Sequence, residues 1–301
     1  MIGCIVQARM SSTRLPNKVL MKIDNNNTIL DFVINQLKSS KYLDEIIIAT
    51  TNLPIDDKII NFAKKKQIKY FRGSEKDVLS RYYDCANFFS LDSIVRVTSD
   101  CPLIDPNILD NLIEKYVDSN CDFISPGFPR TYPQGSADIE VFSFEALEKM
   151  WRESKKPSER EHVCTYIYNN PDKFNILKIP NSLNFSNLKL SVDKVEDLKF
   201  VQEIVKRIHK RPILFNNVLN ILKKEPELVQ INKNYVLEEG YKKSIKDEKN
   251  KIPRDWLYGL WVNIYINSRH DFYPDPVGLN IYETKFQQWR KKWLRKLLSY
   301  F

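Results

Sequence analysis

The chain has 301 residues, 43% of them hydrophobic and 28% charged, enough for the core of one large α/β domain with an appendage. Its net charge of +9 is uneven, because residues 242–301 hold 13 Lys/Arg against 6 Asp/Glu. The remaining chain is nearly neutral, so its charge gives no indication of nucleic-acid binding. We therefore expect no nucleic-acid partner.

Predicted strands and helices alternate along the chain, which indicates a mainly parallel, twisted sheet with crossover helices. Residues 232–255 are highly charged and predict either a linker or a solvated helix. Strands are predicted near 2–7, 45–50, 68–71, 93–98, 122–124, 138–142, 174–179 and 189–192. Helices are predicted near 28–39, 56–66, 75–90, 106–118, 143–151, 158–169, 195–208 and 213–224.

The sequence also bears on location and cofactors. No apolar run reaches the ~20 residues that span a bilayer, and the first residues lack a secretory pattern, so we expect a cytoplasmic protein. The five cysteines form no C-x-x-C pair and the three histidines show no paired spacing, which makes a zinc site improbable. Neither a G-x-G-x-x-G nor a Walker A motif is present, so side chains must hold any nucleotide.

A polar loop follows the first predicted strand. Open α/β sheets bind ligands at the carboxyl ends of their strands. Guanidinium groups bind phosphate oxygens bidentately and an ammonium adds a point charge, so this loop suits a polyphosphate. A solvated basic turn is the alternative. The cations and hydroxyls of the loop are Arg9, Ser11, Ser12, Thr13, Arg14 and Lys18.

Two aspartates follow later predicted strands. Asp100 comes after the strand near 93–98, and Asp193 comes after the strand near 189–192. A carboxylate beside a phosphate site would repel the ligand unless Mg²⁺ bridged them, so the two acidic strand ends suggest a metal–nucleotide site. The alternatives are a strand-end turn or a helix cap for Asp100, and the N-cap of the next helix for Asp193.

Several segments recur in an order typical of a known family. They are residues 5–18, 71–83, 97–102, 132–135 with 138–140, 160–162 and 191–198. Together, over roughly residues 1–243, they resemble the cytidylyltransferases of spore-coat polysaccharide biosynthesis, relatives of the 3-deoxy-manno-octulosonate and acylneuraminate cytidylyltransferases. The resemblance implies a nucleotide-diphospho-sugar transferase-like three-layer α/β sandwich, CTP as co-substrate, Mg²⁺ and a homodimer.

The resemblance also implies roles for individual residues. Arg14, Lys18 and Asp100 would be catalytic, and Asp100 and Asp193 would hold the metal. The triphosphate would contact Arg9, Ser11, Ser12, Thr13, Arg14 and Lys18. The cytosine and ribose would be bordered by Thr50, Thr51, Arg72, Gly73 and Ser74. The acceptor would be faced by Gln134, Asp138, Glu140, Arg160 and His162.

Some of these residues have a second interpretation. Arg160 suits an acceptor carboxylate or phosphate through bidentate contact. Glu140 could instead pair with a neighbouring arginine, and His162 could be a partly buried imidazole whose hydrogen bonds are satisfied. Asp77 could support the nucleoside edge or start a helix.

The implied reaction is transfer of CMP from CTP to a hydroxyl of a sugar-like, acidic or phosphorylated acceptor, with release of pyrophosphate, for surface polysaccharide synthesis. The loop sequence Met10-Ser11-Ser12 lacks the glycines usual in sialic-type enzymes, which disfavours sialic acid. One alternative is a metal-dependent GT-A-like glycosyltransferase, although residues 98–100 offer one carboxylate rather than Asp-x-Asp. The other is a non-catalytic scaffold for glycan assembly.

The remaining residues, 244–301, are predicted to be a C-terminal extension. Within it, residues 285–301 combine an apolar stripe of aromatic and leucine side chains with the basic residues Arg290, Lys291, Lys292, Arg295 and Lys296, which predicts a basic amphipathic helix. Such a helix could contact an anionic membrane surface or dock on the enzyme body or a partner subunit.

Overall fold

A seven-stranded sheet forms the centre of the protein. The computed structural model describes residues 1–127, 129–236 and 239–250, of which Met1–Ile245 form one compact unit. The strand order is β3-β2-β1-β4-β6-β5-β7, and β6 alone among these runs antiparallel to its neighbours. The mainly parallel sheet predicted from the sequence is therefore confirmed. The strands are β1 (Ile2–Gln7), β2 (Glu45–Thr51), β3 (Lys69–Gly73), β4 (Ser93–Thr98), β5 (Phe123–Ser125), β6 (Ile139–Ser143) and β7 (Ile176–Lys178).

Helices cover both faces of this sheet. The side chains of β1 alternate, so that Cys4 and Val6 pack with α1, α2 and α4 while Ile5 packs with α3 and α5 on the other face. A third apolar cluster joins α8 and α9 to the start of α1. The helices are α1 (Ile29–Leu37), α2 (Asp57–Lys65), α3 (Val78–Phe88), α4 (Pro106–Ser119), α5 (Phe144–Glu153), α6 (Pro157–Glu161), α7 (Thr165–Asn169), α8 (Val195–Arg207), α9 (Phe215–Lys224) and α10 (Glu239–Asn250).

Two sequence predictions of secondary structure are wrong. Residues 189–192 form no strand, because only Lys189 makes a bridge, to Gln134, and the following amides donate to the Gln134 carbonyl and the Asp100 carbonyl. The helix near 158–169 is two short helices, because Val163 takes a positive φ of 49° that α-helix does not allow. The other predicted elements end within three residues of the observed bounds.

Strand direction places several loops at one edge of the sheet. β1 and β4 are parallel neighbours with Gln7 opposite Thr98, so the loops that follow them begin side by side. The strand order reverses between these two strands, which is where open α/β sheets form a crevice. Because β6 is antiparallel to β4, the turn that precedes β6 lies at the same edge.

The C-terminal predictions reach beyond the described residues. Glu239–Asn250 is helical, which favours the solvated-helix interpretation over a linker for that stretch. The predicted amphipathic helix at 285–301 lies outside the described residues, and the boundary predicted between 243 and 244 stays a prediction. No helix in the described part of the chain is long and apolar enough to cross a membrane.

The turn before β6 depends on Gly135. Its φ is +99°, and a Cβ there would lie 2.3 Å from the backbone nitrogen of Ser191, which cannot move without displacing that segment. We expect Gly135→Ala to lower the free energy of unfolding by about 3 kcal/mol or more, measured by urea denaturation.

Gly127→Ala is the matched control for this substitution. Gly127 has a similar φ of +94°, but its Cβ would meet only the Lys178 side chain, at 3.3 Å. Gly127→Ala should lower the free energy of unfolding by no more than about 1–2 kcal/mol. Equal losses for the two variants would contradict the importance of the contact with Ser191.

Candidate active site

Backbone hydrogen bonds and two buried side chains hold the loop after β1, and its polar residues lie at the sheet edge. The backbone N–H of Met10 donates to Asp56 Oδ1 at 2.7 Å, and that of Asn17 donates to the Met10 carbonyl at 3.0 Å. The side chains of Met10 and Leu15 are buried. Residues 11–14 between them are partly or fully exposed, so the loop presents its hydroxyls and Arg14 outward.

The ammonium of Lys18 lies at the centre of the site. It donates to Asp100 Oδ2 at 2.8 Å, to the Val192 carbonyl at 2.8 Å and to Asp193 Oδ1 at 2.9 Å, and the residue is only 7% exposed. Burial disfavours its charge, but Asp100 and Asp193 outweigh burial and raise the pKa of Lys18 above its ordinary value. Although burial also disfavours the Asp100 carboxylate, Lys18 and further hydrogen bonds hold the pKa of Asp100 well below its usual range.

Asp193 joins this centre to two further cations. Its Oδ1 also accepts from Arg14 Nη2 at 2.6 Å, and its Oδ2 lies 3.1 Å from Lys189 Nζ. Lys189 donates in turn to Asp197 Oδ2 at 2.7 Å. Asp197 also accepts the backbone N–H groups of Asp193 and Lys194, both at 2.9 Å, and so fixes the start of α8. Three cations and three carboxylates thus neutralise one another.

A cavity of about 570 Å³ opens beside this cluster. Arg14, Asp100 and Asp193 line one end of it. The turn before β6 contributes an ion pair between Arg130 and Asp138, and β4 and β6 contribute another between Arg96 and Glu140. The other lining residues include Gln134, His162, Thr165, Tyr168, Ser191, Glu239 and Tyr241.

The structure brings together four of the five predicted acceptor residues. Gln134, Asp138, Glu140 and His162 line the cavity. Glu140 pairs with Arg96, as the alternative interpretation held, yet it remains at the cavity wall, where it accepts the Tyr168 hydroxyl at 3.0 Å.

Arg160 does not belong to this group. Its guanidinium donates to Asp77 Oδ2 at 2.5 and 3.0 Å, to the Trp151 carbonyl at 2.6 Å and to the Ser80 hydroxyl at 2.8 Å. Arg160 does not line the described cavity, so the structure does not support the predicted contact with the acceptor. Asp77 caps α3 through the Ser80 amide, as its helix-start interpretation held.

The predicted nucleoside residues form a second group, at the ends of β2 and β3. Thr51 donates its hydroxyl to Asp56, and Arg72 donates to the carbonyls of Thr51 and Leu53, both at 2.9 Å. Gly73 ends β3, and Ser74 accepts the Asp77 amide at 3.0 Å. The first loop touches this group where Ser11 donates to Glu75 at 3.2 Å. Thr50 is fully buried, so a ligand would reach its side chain only if neighbouring residues moved.

Sequence reasoning missed several residues of the site. Lys189 is separated from Asp193 and Asp197 by steps of four, a spacing that could have marked it. Arg96 was missed because its pairing with Glu140 depends on the direction of β6, and Arg130 was missed in the loop that precedes β6. The contributions of Glu239 and Tyr241 come from α10, far along the chain.

The aspartates at the centre can be tested as a magnesium site. The described residues hold no cluster of three or more His, Cys, Asp or Glu suited to a metal. Asp100 and Asp193 nevertheless offer two hard oxygen donors close together, since both bond to one ammonium. Mg²⁺ is commonly held by one or two carboxylates plus phosphate oxygens and water, so the chemistry of these two residues fits the ion.

Comparison with known proteins gives consistent matches. A family model described as cytidylyltransferase matches residues 3–248. An uncharacterized protein of Methanocaldococcus jannaschii is 38% identical over 232 residues, 76% of this chain and 93% of that one. Spore coat polysaccharide biosynthesis protein SpsF of Bacillus subtilis is 28% identical over 235 residues, 74% of this chain and 94% of that one.

A solved structure matches over the same region. The structure of a cytidylyltransferase from Leptospira borgpetersenii aligns with a TM-score of 0.73 at 34% identity, covering 79% of this chain and 99% of that one. The resemblance drawn from the ordered motifs is confirmed.

The buried Lys189 gives a test of the cluster's structural part. Lys189 is 4% exposed and contacts two buried carboxylates, so Lys189→Met should lower the free energy of unfolding by about 3–5 kcal/mol in urea denaturation. Lys199→Met, at an exposed position of α8, is the control and should change it by less than about 0.5 kcal/mol. A loss below about 1 kcal/mol for Lys189→Met would contradict the assigned contacts.

Proposed function

The chain belongs to the cytidylyltransferase family, and from this premise we propose that it transfers CMP from CTP to a hydroxyl of a sugar-like, acidic or phosphorylated acceptor. The observation that carries the proposal is the Lys18 ammonium held between Asp100 and Asp193 at the end of a cavity. The name of the Bacillus subtilis relative supports surface polysaccharide synthesis as the setting. Membership of the cytidylyltransferase family argues against both alternatives, the glycosyltransferase and the non-catalytic scaffold.

In the proposed binding of the triphosphate, charged side chains exchange one ionic partner for another. Lys18 and Arg14 each bond to Asp193. On this proposal both cations would turn to phosphate oxygens, and Asp100 and Asp193 would be the residues that hold the metal. When bound, Mg²⁺ neutralises phosphate charge and acidifies the attacking hydroxyl. The hydroxyls of Ser11, Ser12 and Thr13 would donate to the remaining oxygens, with Arg9 as a further cation.

In the proposed reaction, an acceptor oxygen attacks the α-phosphorus in line. The bond from the α-phosphorus to the bridging oxygen of the β-phosphate breaks, and pyrophosphate leaves with that oxygen. Such a transition state needs positioning and charge neutralisation more than covalent catalysis. Lys18 and Arg14 would stabilise the charge that grows on the leaving pyrophosphate.

The nucleoside would lie on the other side of the first loop. Thr51 and Arg72 hold the loop after β2 through their side chains, so we propose that they shape a base pocket instead of donating directly to the base. Gly73 and Ser74 would then contribute backbone groups beside the ribose. A homodimer and a membrane contact through 285–301 stay predictions from the sequence.

Pyrophosphate release tests the proposed reaction. Purified protein with Mg²⁺ is given CTP, UTP, ATP or GTP, together with a panel of acidic sugars, sugar phosphates, polyol phosphates and neutral sugars. We expect release with CTP and with one acidic or phosphorylated class of acceptor. Equal release from all four nucleotides, or release that needs no acceptor, would overturn the proposal.

Asp100→Asn tests the proposed metal and phosphate centre. The substitution keeps the shape of the side chain but removes the charge, so kcat should fall by about 100-fold or more. Asp172→Asn, at an exposed position, is the matched control and should leave kcat unchanged. Near-normal turnover by Asp100→Asn, with its urea midpoint retained, would exclude the proposed role.

Glu239 competes with the proposed triphosphate for Arg14. Its Oε2 lies 3.2 Å from Arg14 Nη1 and 3.5 Å from Lys194 Nζ at a partly exposed rim. Glu239→Gln should therefore lower the Kd for CTP by about 2- to 5-fold in calorimetric titration without acceptor. Glu227→Gln, an exposed substitution of equal charge, should have no effect. Unchanged or weaker binding by Glu239→Gln would show that Glu239 is not a competitor.

A further inference from the structure

His162 is turned toward the cavity by the break between α6 and α7. α6 ends at Glu161, and the next turn is prevented by Val163, whose φ is 49° and whose side chain is fully buried. A β-branched residue in this conformation is strained, and core packing must enforce it. Because the helix ends before His162, the side chain of His162 lines the cavity.

The first turns of α10 hold the His162 ring on one side. The Ser244 hydroxyl lies 2.9 Å from His162 Nε2, and the Tyr241 ring stands edge-on to the imidazole with centroids 5.3 Å apart. The same hydroxyl lies 2.8 Å from Glu161 Oε2 and 3.1 Å from the Gly240 carbonyl. Ser244 thus has two oxygen acceptors and one imidazole nitrogen around it.

The hydrogen-bond partners of Ser244 favour one tautomer of the ring. A serine hydroxyl has one proton, and the Glu161 carboxylate and Gly240 carbonyl can only accept it. Once that proton is directed to either oxygen, the Ser244 oxygen is left to accept the N–H of His162 Nε2. In a neutral ring, Nδ1 is then unprotonated and accepts hydrogen bonds.

The neutral form of the ring is favoured by its surroundings. Burial lowers the pKa of His162 and Arg96 lowers it further, while the carboxylates of Glu161 and Glu140 oppose them. The net shift in the pKa is downward, which favours the neutral ring. Gln134 also lines the cavity, and its buried Oε1 is a neutral acceptor with no hydrogen-bond partner among the described residues.

We propose that Ser244 is a positioning residue that, with Glu161, fixes His162 in the Nε2-protonated tautomer, so that Nδ1 accepts a hydrogen bond from an acceptor-substrate hydroxyl. This inference rests on the proposed function for the identity of the ligand, but the tautomer itself does not. Together with Gln134, which also lines the cavity, it assigns His162 to a hydroxyl group of a polyhydroxylated acceptor and not to an anionic group.

The tautomer can be measured without substrate. The chain has three histidines, so ¹⁵N-histidine labelling and long-range ¹H–¹⁵N correlation give few signals, and His162→Gln identifies the relevant set. We expect the Nε2–H form in the wild type and in Ser244→Thr, and a mixture of both tautomers in Ser244→Ala. An Nδ1–H form in the wild type, or a spectrum unchanged in Ser244→Ala, would overturn the proposal.

Kinetics test the consequence for the acceptor. Ser244→Ala should raise the KM for the acceptor about 5- to 10-fold and leave the KM for CTP unchanged, and Ser244→Thr should restore most of the loss. Lys243→Ala, on an exposed position of α10, is the control. Equal changes in both KM values, or no rescue by threonine, would show that Ser244 only stabilises α10. If no acceptor supports turnover by the wild type, the proposed function fails, while the tautomer result stands alone.

Discussion

The charged contact among Lys18, Asp100 and Asp193 organises the whole site. The ammonium of a lysine that is 7% exposed is costly to desolvate unless acceptors surround it, so the segments that carry its partners must meet at one point. Those segments are the loop after β1, the end of β4 and the extended stretch before α8. Their convergence also fixes where the cavity begins, since both aspartates line it.

Around that contact, the protein keeps its charges balanced before any ligand arrives. Lys18, Arg14 and Lys189 face Asp100, Asp193 and Asp197, and most of these groups are buried. On the proposed function, a triphosphate and a divalent cation would enter together, so that phosphate oxygens replace the carboxylates beside the cations and the metal replaces the cations beside the carboxylates. The exchange substitutes one group of paired charges for another, which avoids leaving a lone charge in a poorly solvated place.

The sequence predicts the parts of the site that follow from parallel strands. Because such strands end at one edge, the loop after β1 and Asp100 could be placed together before the structure was known. The Arg96–Glu140 pair could not be placed, since alternating strand patterns do not encode whether β6 runs parallel or antiparallel to β4. Arg160 shows a second limit: a guanidinium suits the Asp77 carboxylate as well as a ligand, and only the fold decides between them.

The other site contacts that the sequence did not predict join segments far apart in the chain. Ser244 and His162 are 82 residues apart, and Arg14 and Glu239 are 225 apart. No local pattern links such pairs. The positive φ of Val163 is likewise imposed by packing, because valine disfavours that conformation on its own.

The reversed direction of β6 has a consequence for how this architecture can diverge. The loops that hold Lys18 and Asp100 are continuous with the parallel centre of the sheet, whereas the opposite wall of the cavity comes from the connection between β5 and β6 and from α6, α7 and α10. Surface connections tolerate insertions and deletions far better than central strands do. A change in length between β5 and β6 would thus alter the depth of the cavity while the triphosphate end kept its geometry, so substrate range and nucleotide handling can evolve as separate modules.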